Sequence, residues 1–201
     1  LHHPSDLGNE LADTSGAYQN YLFTASRLDA PKRLDLLIKA FQQVEGDTEL
    51  RIGGDGPELP SLKRLAAPDP RIKFLGRITD AVLIEQYRNA LCVPFVPFDE
   101  DYGLITLEAM QAAKAVITLT DSGGVNELVK PGKTGLSVPV SADALAQGLQ
   151  QLVGDRENTI AMGKRARESV ASIQWTSIVE SLLSECPSER EVTDIDPLEP
   201  T

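Results

Sequence analysis

The chain has 201 residues, of which 41% are hydrophobic and 24% charged, and its net charge is −11. It is long enough for one domain with a real core, and too acidic for nucleic acid or an anionic membrane surface to be its main partner, since neutralising phosphates takes clustered Lys and Arg. The longest apolar run, ALCVPFVPF at 90–98, is about half of what a membrane span needs and holds two prolines.

In chain order, the opening LHHPSDLGNE is polar, carries no secretory signal and lacks an initiator Met, so the chain is expected to be an excised fragment. His2 and His3 are adjacent there and read as linker rather than as a base or a metal pair. YLFTAS (21–26) is strand-like. LDLLIKAFQQV (34–44) places Leu34, Leu37, Ile38 and Phe41 at helical spacing. ELRIGG (49–54) is a strand ending in glycines, and LPSLKRLA (59–66) a helix. RIKFLG (71–76), AVLIEQYRNA (81–90) and LCVPFV (91–96) give strand, helix, strand. GLITLEAMQAA (103–113) is a helix, AVITLT (115–120) a strand and LSVPV (136–140) a short strand. Helices follow near 142–153, 156–173 and 175–184. This alternation predicts an α/β fold, a mostly parallel sheet with helices on both faces, whose ligands sit at the carboxyl ends of the strands.

The end of the chain differs in composition. Residues 185–201 hold six acids, one base and three prolines, so the tail carries −5 and the body −6. With no apolar periodicity, the tail is expected to be disordered. Cys92 lies in an apolar run and Cys186 in the tail. Such a pair gives no disulfide framework and no metal spacing, and a reducing cytoplasm is the expected setting.

Three motifs are decoys. GGDGPEL (53–59) follows a strand, but no third glycine completes the dinucleotide fingerprint. PGKTG (131–135) contains GKT, yet a phosphate-binding P-loop needs glycine where Glu127 stands. DED (99–101) matches the Asp-x-Asp pattern that can hold a divalent metal, and acidic triplets are common in solvated loops.

Two other segments carry more. SRLDAPKRLDLLIKAF (26–41) puts Arg27 and Lys32 in a loop at the expected ligand edge. Arg can grip two phosphate oxygens in a fork and Lys adds a compact charge, which suits a diphosphate. Taken alone, the segment reads better as a solvated basic loop, since Lys32 and Arg33 are adjacent and Asp29 is close. In FDEDYGLITLEAMQAAKAVI (98–117), Gly103 and Leu104 stand where a helix begins after a strand, and a helix start is an anion site. Glu100 precedes that turn, and Glu108 lies about four residues into the helix, roughly 6 Å along it. A phosphate there has a carboxylate on each side: Glu108 can accept from a ribose diol, Glu100 from sugar hydroxyls. On spacing alone, an amphipathic helix with solvated glutamates fits as well.

In order along the chain, Arg27 and Lys32 in SRLDAPKRLDLLIKAF, GGDGPE, FLGR (74–77), the E-x7-E of EDYGLITLE and DSGGVNELV (121–129) resemble the C-terminal domain of retaining glycosyltransferases of family 4. The resemblance covers about residues 20–175. It implies a Rossmann-like domain, one half of the two-domain GT-B architecture, binding a nucleotide diphosphate sugar. Arg27 and Lys32 hold the diphosphate, aided by the backbone of Gly103 and Leu104. Glu108 holds the ribose and Glu100 the donor sugar, while loops at Gly54 and Arg77 flank the base. Glu100, Arg27 and Lys32 would carry the transfer, with retention at the anomeric carbon. No metal cofactor is expected. The division implied is an interdomain linker remnant at 1–20, the nucleotide-sugar domain at 21–175, a C-terminal helix at 176–184 and the tail. The acceptor (a glycan, lipid or small molecule), and any peripheral contact with the inner membrane face, would belong to the missing N-terminal domain, so the chain alone is expected to be inactive.

Some positions depart from the family pattern. Ala113 stands where the family usually has Gly, Ala115 where it often has Pro, and Asp101 adds a charge beside Glu100. Two other functions stay open: a non-catalytic nucleotide-binding or scaffold module, and a glycoside hydrolase using Glu100 and Glu108, whose carboxyls would have to stand about 5–5.5 or 6.5–9.5 Å apart.

Overall fold

The computed structural model describes residues 7–11 and 18–173. His2, His3, Cys186, the helix expected at 176–184 and the acidic tail lie outside them. The strands are β1 (Tyr21–Ala25), β2 (Glu49–Gly53), β3 (Ile72–Gly76), β4 (Cys92–Pro94), β5 (Ala115–Leu119) and β6 (Gly135–Val138). The helices are α1 (Gly8–Leu11), α2 (Leu34–Phe41), α3 (Leu59–Ala66), α4 (Asp80–Asn89), α5 (Leu104–Gln111), α6 (Val125–Leu128), α7 (Ala142–Gly154) and α8 (Arg156–Val170). All strand pairs are parallel and the sheet order is β3-β2-β1-β4-β5-β6. The expected Rossmann-like α/β fold is therefore present, and strand order reverses between β1 and β4, where open α/β sheets place their ligands.

Alternation along the strands divides the core between the two sheet faces. Leu22, Leu50, Ile52 and Ile117 pack with Leu37, Ile38, Phe41, Leu145 and Leu149. Tyr21, Phe23, Val93 and Val116 pack on the other face with Tyr87, Leu107, Met110 and Val170. Every residue of β5 is buried, as a parallel strand covered on both sides must be. The four apolar positions predicted on α2 are all buried. The short α1 packs on α4 and α5, with Leu11 fully buried and the Glu10 carbonyl accepting from Arg88 Nη2 at 2.7 Å.

The expected strand 91–96 narrows to Cys92–Pro94. Pro94 and Pro97 have no N–H to give a ladder, although Phe95 N still donates to Ile117 O at 2.9 Å. Thr79, Ser141 and Asp155 cap α4, α7 and α8 with side-chain oxygens. The two helices that follow the switch-point strands start differently. Both α2 and α5 begin at left-handed residues, Arg33 (φ 49°) and Gly103 (φ 64°), with no side-chain cap.

At its other end α5 closes through Ala113, which sits at φ 58° while its N–H donates to Met110 O and Lys114 N donates to Ala109 O. This is the position where glycine normally ends a helix. Alanine keeps the turn and bears the strain of its Cβ, about 1–2 kcal/mol, against which glycine's extra chain entropy costs about 0.5–1. Ala113→Gly is therefore expected to stabilise the domain by about 0.5–1 kcal/mol, read as a shift of the urea midpoint at constant m-value.

Candidate functional site

Three loops are stitched together at the carboxyl ends of β1, β2 and β3. Ser26 N donates to Gly53 O at 3.1 Å, Leu28 N to Asp55 O at 3.0 Å and Gly54 N to Gly76 O at 2.7 Å. The glycines of GGDG are what allow this. A Cβ on Gly54 would stand 1.9 Å from Ser26 O, and one on Gly56 2.3 Å from Leu28 O. The motif is a close approach of two loops, in keeping with its failure as a dinucleotide fingerprint.

Beneath these loops lies a cavity of about 770 Å³, within the range of small-molecule sites. Its wall includes Arg27, Gly54, Arg77 and Glu108, four of the expected site residues drawn from four different segments. Asp55, Ile78, Leu83, Tyr87 and Ile105 also line it, and sequence reasoning had assigned none of them. Tyr87 is fully buried, meets Phe23 edge-on at 5.1 Å and donates its hydroxyl to Glu108 Oε2 at 3.3 Å. Burial, and then the Glu108 charge, push the Tyr87 phenol well above its ordinary value, so it stays a donor. Leu83 and Tyr87, one turn apart on one face of α4, were the available signal.

Lys32, Glu100, Gly103 and Leu104 gather beside the start of α5 rather than on that wall. Lys32 Nζ is ion-paired with Glu100 Oε2, and the two side chains are 19% and 26% exposed. The solvated-loop reading therefore fails for Lys32. It fails for Arg33 too: the guanidinium grips Asp121 with two bonds of 2.7 and 2.8 Å and donates to the carbonyls of Val96 and Pro97. The Arg33 bonds hold the Asp121 carboxyl below the usual carboxylate range. Arg33 is thus a brace between α2 and the ends of β4 and β5. Arg27 is the outward cation, 74% exposed and 3.4 Å from Asp29.

The loop bearing Glu100 is fixed from below by DSGG. Gly124 N donates to Glu100 O at 2.8 Å and Asp99 N to Asp121 O at 3.0 Å. A Cβ on Gly123 would stand 2.6 Å from Glu100 O, and one on Gly124 2.3 Å from Asp101 O. Gly103 supplies the left-handed turn into α5, where a Cβ would meet Val125 Cγ2 at 2.7 Å. Among the described residues no three His, Cys, Asp or Glu side chains cluster, and no helix is long and apolar enough to cross a membrane.

The arrangement combines a cavity bordered by two carboxylates and two arginines with a Lys–Glu pair at a helix start. Comparison with known proteins gives the family of the chain. Residues 13–169 match the model of the family described as Glycosyl transferases group 1. The chain is 32% identical over 171 residues to a D-inositol 3-phosphate glycosyltransferase of Nocardia farcinica, covering 78% of this chain and 38% of that protein. It is 30% identical over 158 residues to an N-acetyl-alpha-D-glucosaminyl L-malate synthase of Bacillus anthracis, covering 76% and 41%. The fold superposes with a TM-score of 0.78 on the pneumococcal O-GlcNAc transferase GtfA in complex with UDP and GlcNAc, at 23% identity over 91% of this chain and 37% of that one. The chain thus spans about two-fifths of the length of the curated relatives it matches. Over that span it belongs to the group 1 family of glycosyl transferases.

Proposed function

We propose that this chain is the donor-binding, C-terminal half of a retaining GT-B glycosyltransferase of family 4, which moves a sugar from a nucleotide diphosphate to an acceptor. The observation that carries it is the placement of Arg27, Arg77 and Glu108 around one cavity, with Lys32 and Glu100 beside the start of α5, which no side chain caps. The nucleoside occupies the cavity, its ribose diol donating to Glu108 and its base lying against the loops of Gly54 and Arg77. The diphosphate lies between Arg27, Lys32 and the N–H groups of Gly103 and Leu104. When the sugar–phosphate bond breaks, charge grows on the departing phosphate, and these cations and the helix end stabilise it there. Glu100 positions the sugar through its hydroxyls.

The acceptor, whether glycan, lipid or small molecule, is met by the other half of the enzyme, as is any membrane surface. We place the whole in the cytoplasm. A hydrolase is disfavoured because hydrolysis leaves the cations without a role. The scaffold alternative predicts nucleotide binding without transfer once the partner half is restored.

Calorimetric titration with UDP, GDP, ADP and their sugars tests the reading, and the UDP held by the pneumococcal neighbour puts UDP first. No binding in any arm would refute it. Arg27→Ala or Lys32→Ala should each weaken the diphosphate by about 1.5–2 kcal/mol, the low end of a charged hydrogen bond, while a phosphate-free nucleoside binds as before. Equal losses for both ligands would point to a damaged fold.

Donor binding should also need no divalent metal. Arg27, Lys32 and the start of α5 together offer about two and a half positive charges to the diphosphate. Affinity that vanished with chelator and returned with magnesium or manganese would replace this clamp by a site built on Asp99, Glu100 and Asp101.

A further inference from the structure

Two residues that the proposed reading gives to different parts of the donor hold each other. The Lys32–Glu100 pair is no chance surface contact. Its two loops are tied together on either side of Lys32: Phe98 N donates to Pro31 O at 2.8 Å, and the side chain of Arg33, next in the chain, donates through Nε to Val96 O at 2.9 Å. Gly124 N fixes the Glu100 carbonyl from below. Lys32 Nζ also lies 5.8 Å from the centre of the Phe95 ring, which further restricts where the ammonium can go. Both side chains are about four-fifths to three-quarters withdrawn from water, so separating them leaves charges that solvent only partly repays.

A diphosphate needs Lys32 and must take it from Glu100. What happens to the released carboxylate then depends on whether a sugar is attached. With a sugar, its hydroxyls donate to Glu100 and replace the lost ammonium bond. Without one, Glu100 is left unpaired in a partly desolvated position beside two phosphate charges, which costs twice, by lost pairing and by repulsion. We propose that the Lys32–Glu100 pair is a specificity device that makes the site favour the sugar-bearing nucleotide over the bare nucleoside diphosphate, so that the enzyme rejects its own product. The inference rests on the donor-site reading above and adds to it a direction: one of its ligand-binding residues opposes binding of part of the ligand. In turnover, loss of the sugar restores the competition of Glu100 for Lys32 and drives the diphosphate out, and product release limits many well-evolved enzymes.

The test is a calorimetric cycle on the 201-residue chain with whichever of UDP, GDP and ADP the wild type binds, and with the glucose and N-acetylglucosamine derivatives of that nucleotide. Glu100→Gln keeps the shape and removes the charge. It should bind the bare diphosphate about 5–20-fold more tightly than the wild type, the scale of an ordinary coupling between two interactions. The sugar-bearing nucleotide should gain less or lose affinity, so the ratio of the two falls. Glu100→Ala should shift the bare diphosphate in the same direction. In a Lys32→Met background the gain from Glu100→Gln should shrink, because only the repulsion remains to be relieved. A Glu100→Gln protein that binds the bare diphosphate no more tightly than the wild type overturns the inference while leaving the donor site intact. A wild type that binds none of the three diphosphates and none of their sugar derivatives removes the donor site itself.

Discussion

Gly54→Ala is expected to destabilise the domain by about 3 kcal/mol or more and to abolish measurable nucleotide binding in whatever remains folded. Two costs add at this position. Gly54 sits at φ 119°, a conformation nearly closed to residues with a Cβ, worth about 1–3 kcal/mol of strain. Its Cβ would also stand 1.9 Å from Ser26 O, and the obstacle is backbone that cannot rotate away. Relieving that contact pushes apart the loops after β1 and β2, and Arg27 and Gly54 are both on the cavity wall. Gly46 offers the control. It has φ 104° but nothing within 4 Å of a built Cβ, so Gly46→Ala should lose about 1–2 kcal/mol and leave nucleotide affinity unchanged. Denaturation and binding measured on both variants separate strain from collision. A Gly54→Ala protein no less stable than Gly46→Ala, and still binding nucleotide, would show that the close approach of the two loops is dispensable.

Glycine patterns of this kind show how far the sequence could be read. The βα alternation was legible because each helix and strand carries its own apolar period, as in Leu34, Leu37, Ile38 and Phe41. The proposed site residues stand out only through their order along the chain, since no single motif is specific. What stayed hidden involved pairing between distant segments. Lys32 and Glu100 are 68 positions apart and Arg33 and Asp121 are 88, so two neighbouring cations in one loop took different partners, one pairing with the loop before α5 and one bracing the scaffold. Tyr87 was visible as a helical residue, but its hydroxyl has meaning only once α4 and α5 are side by side. Helix α6, four residues inside DSGGVNELV, is too short to show a period. Lys114, at the boundary between a helix and a strand, gave no sign that it would be among the largest fully buried side chains.

That buried lysine leads to a second large effect. Lys114 is 1% exposed, with its ammonium 3.5 Å from the centre of the Tyr18 ring. Burial foremost pulls its pKa from 10.5 to about 7, and the neighbouring Cys92 and Arg156 act in opposite senses. Because the folded value lies below the unfolded one, the unfolded chain binds more protons between about pH 7 and pH 10.5. Stability should therefore rise with pH from about 7 upward and be flat below. The Cys92 thiol, pushed up to about 12 by burial, works against this above pH 9, so the clean window is pH 7–9. The full depression corresponds to about 5 kcal/mol of penalty at neutral pH. The cation–π contact with Tyr18 returns about 2. Lys114→Met, which fills the same space without the charge, should thus stabilise the domain by about 3 kcal/mol at pH 7. Between pH 7 and pH 9 the wild type should gain about 1–2 kcal/mol and Lys114→Met almost nothing, measured as urea midpoints across the window. Parallel slopes for the two proteins, or a Met variant less stable at pH 7, would mean that Tyr18 holds the ammonium well enough to offset its burial.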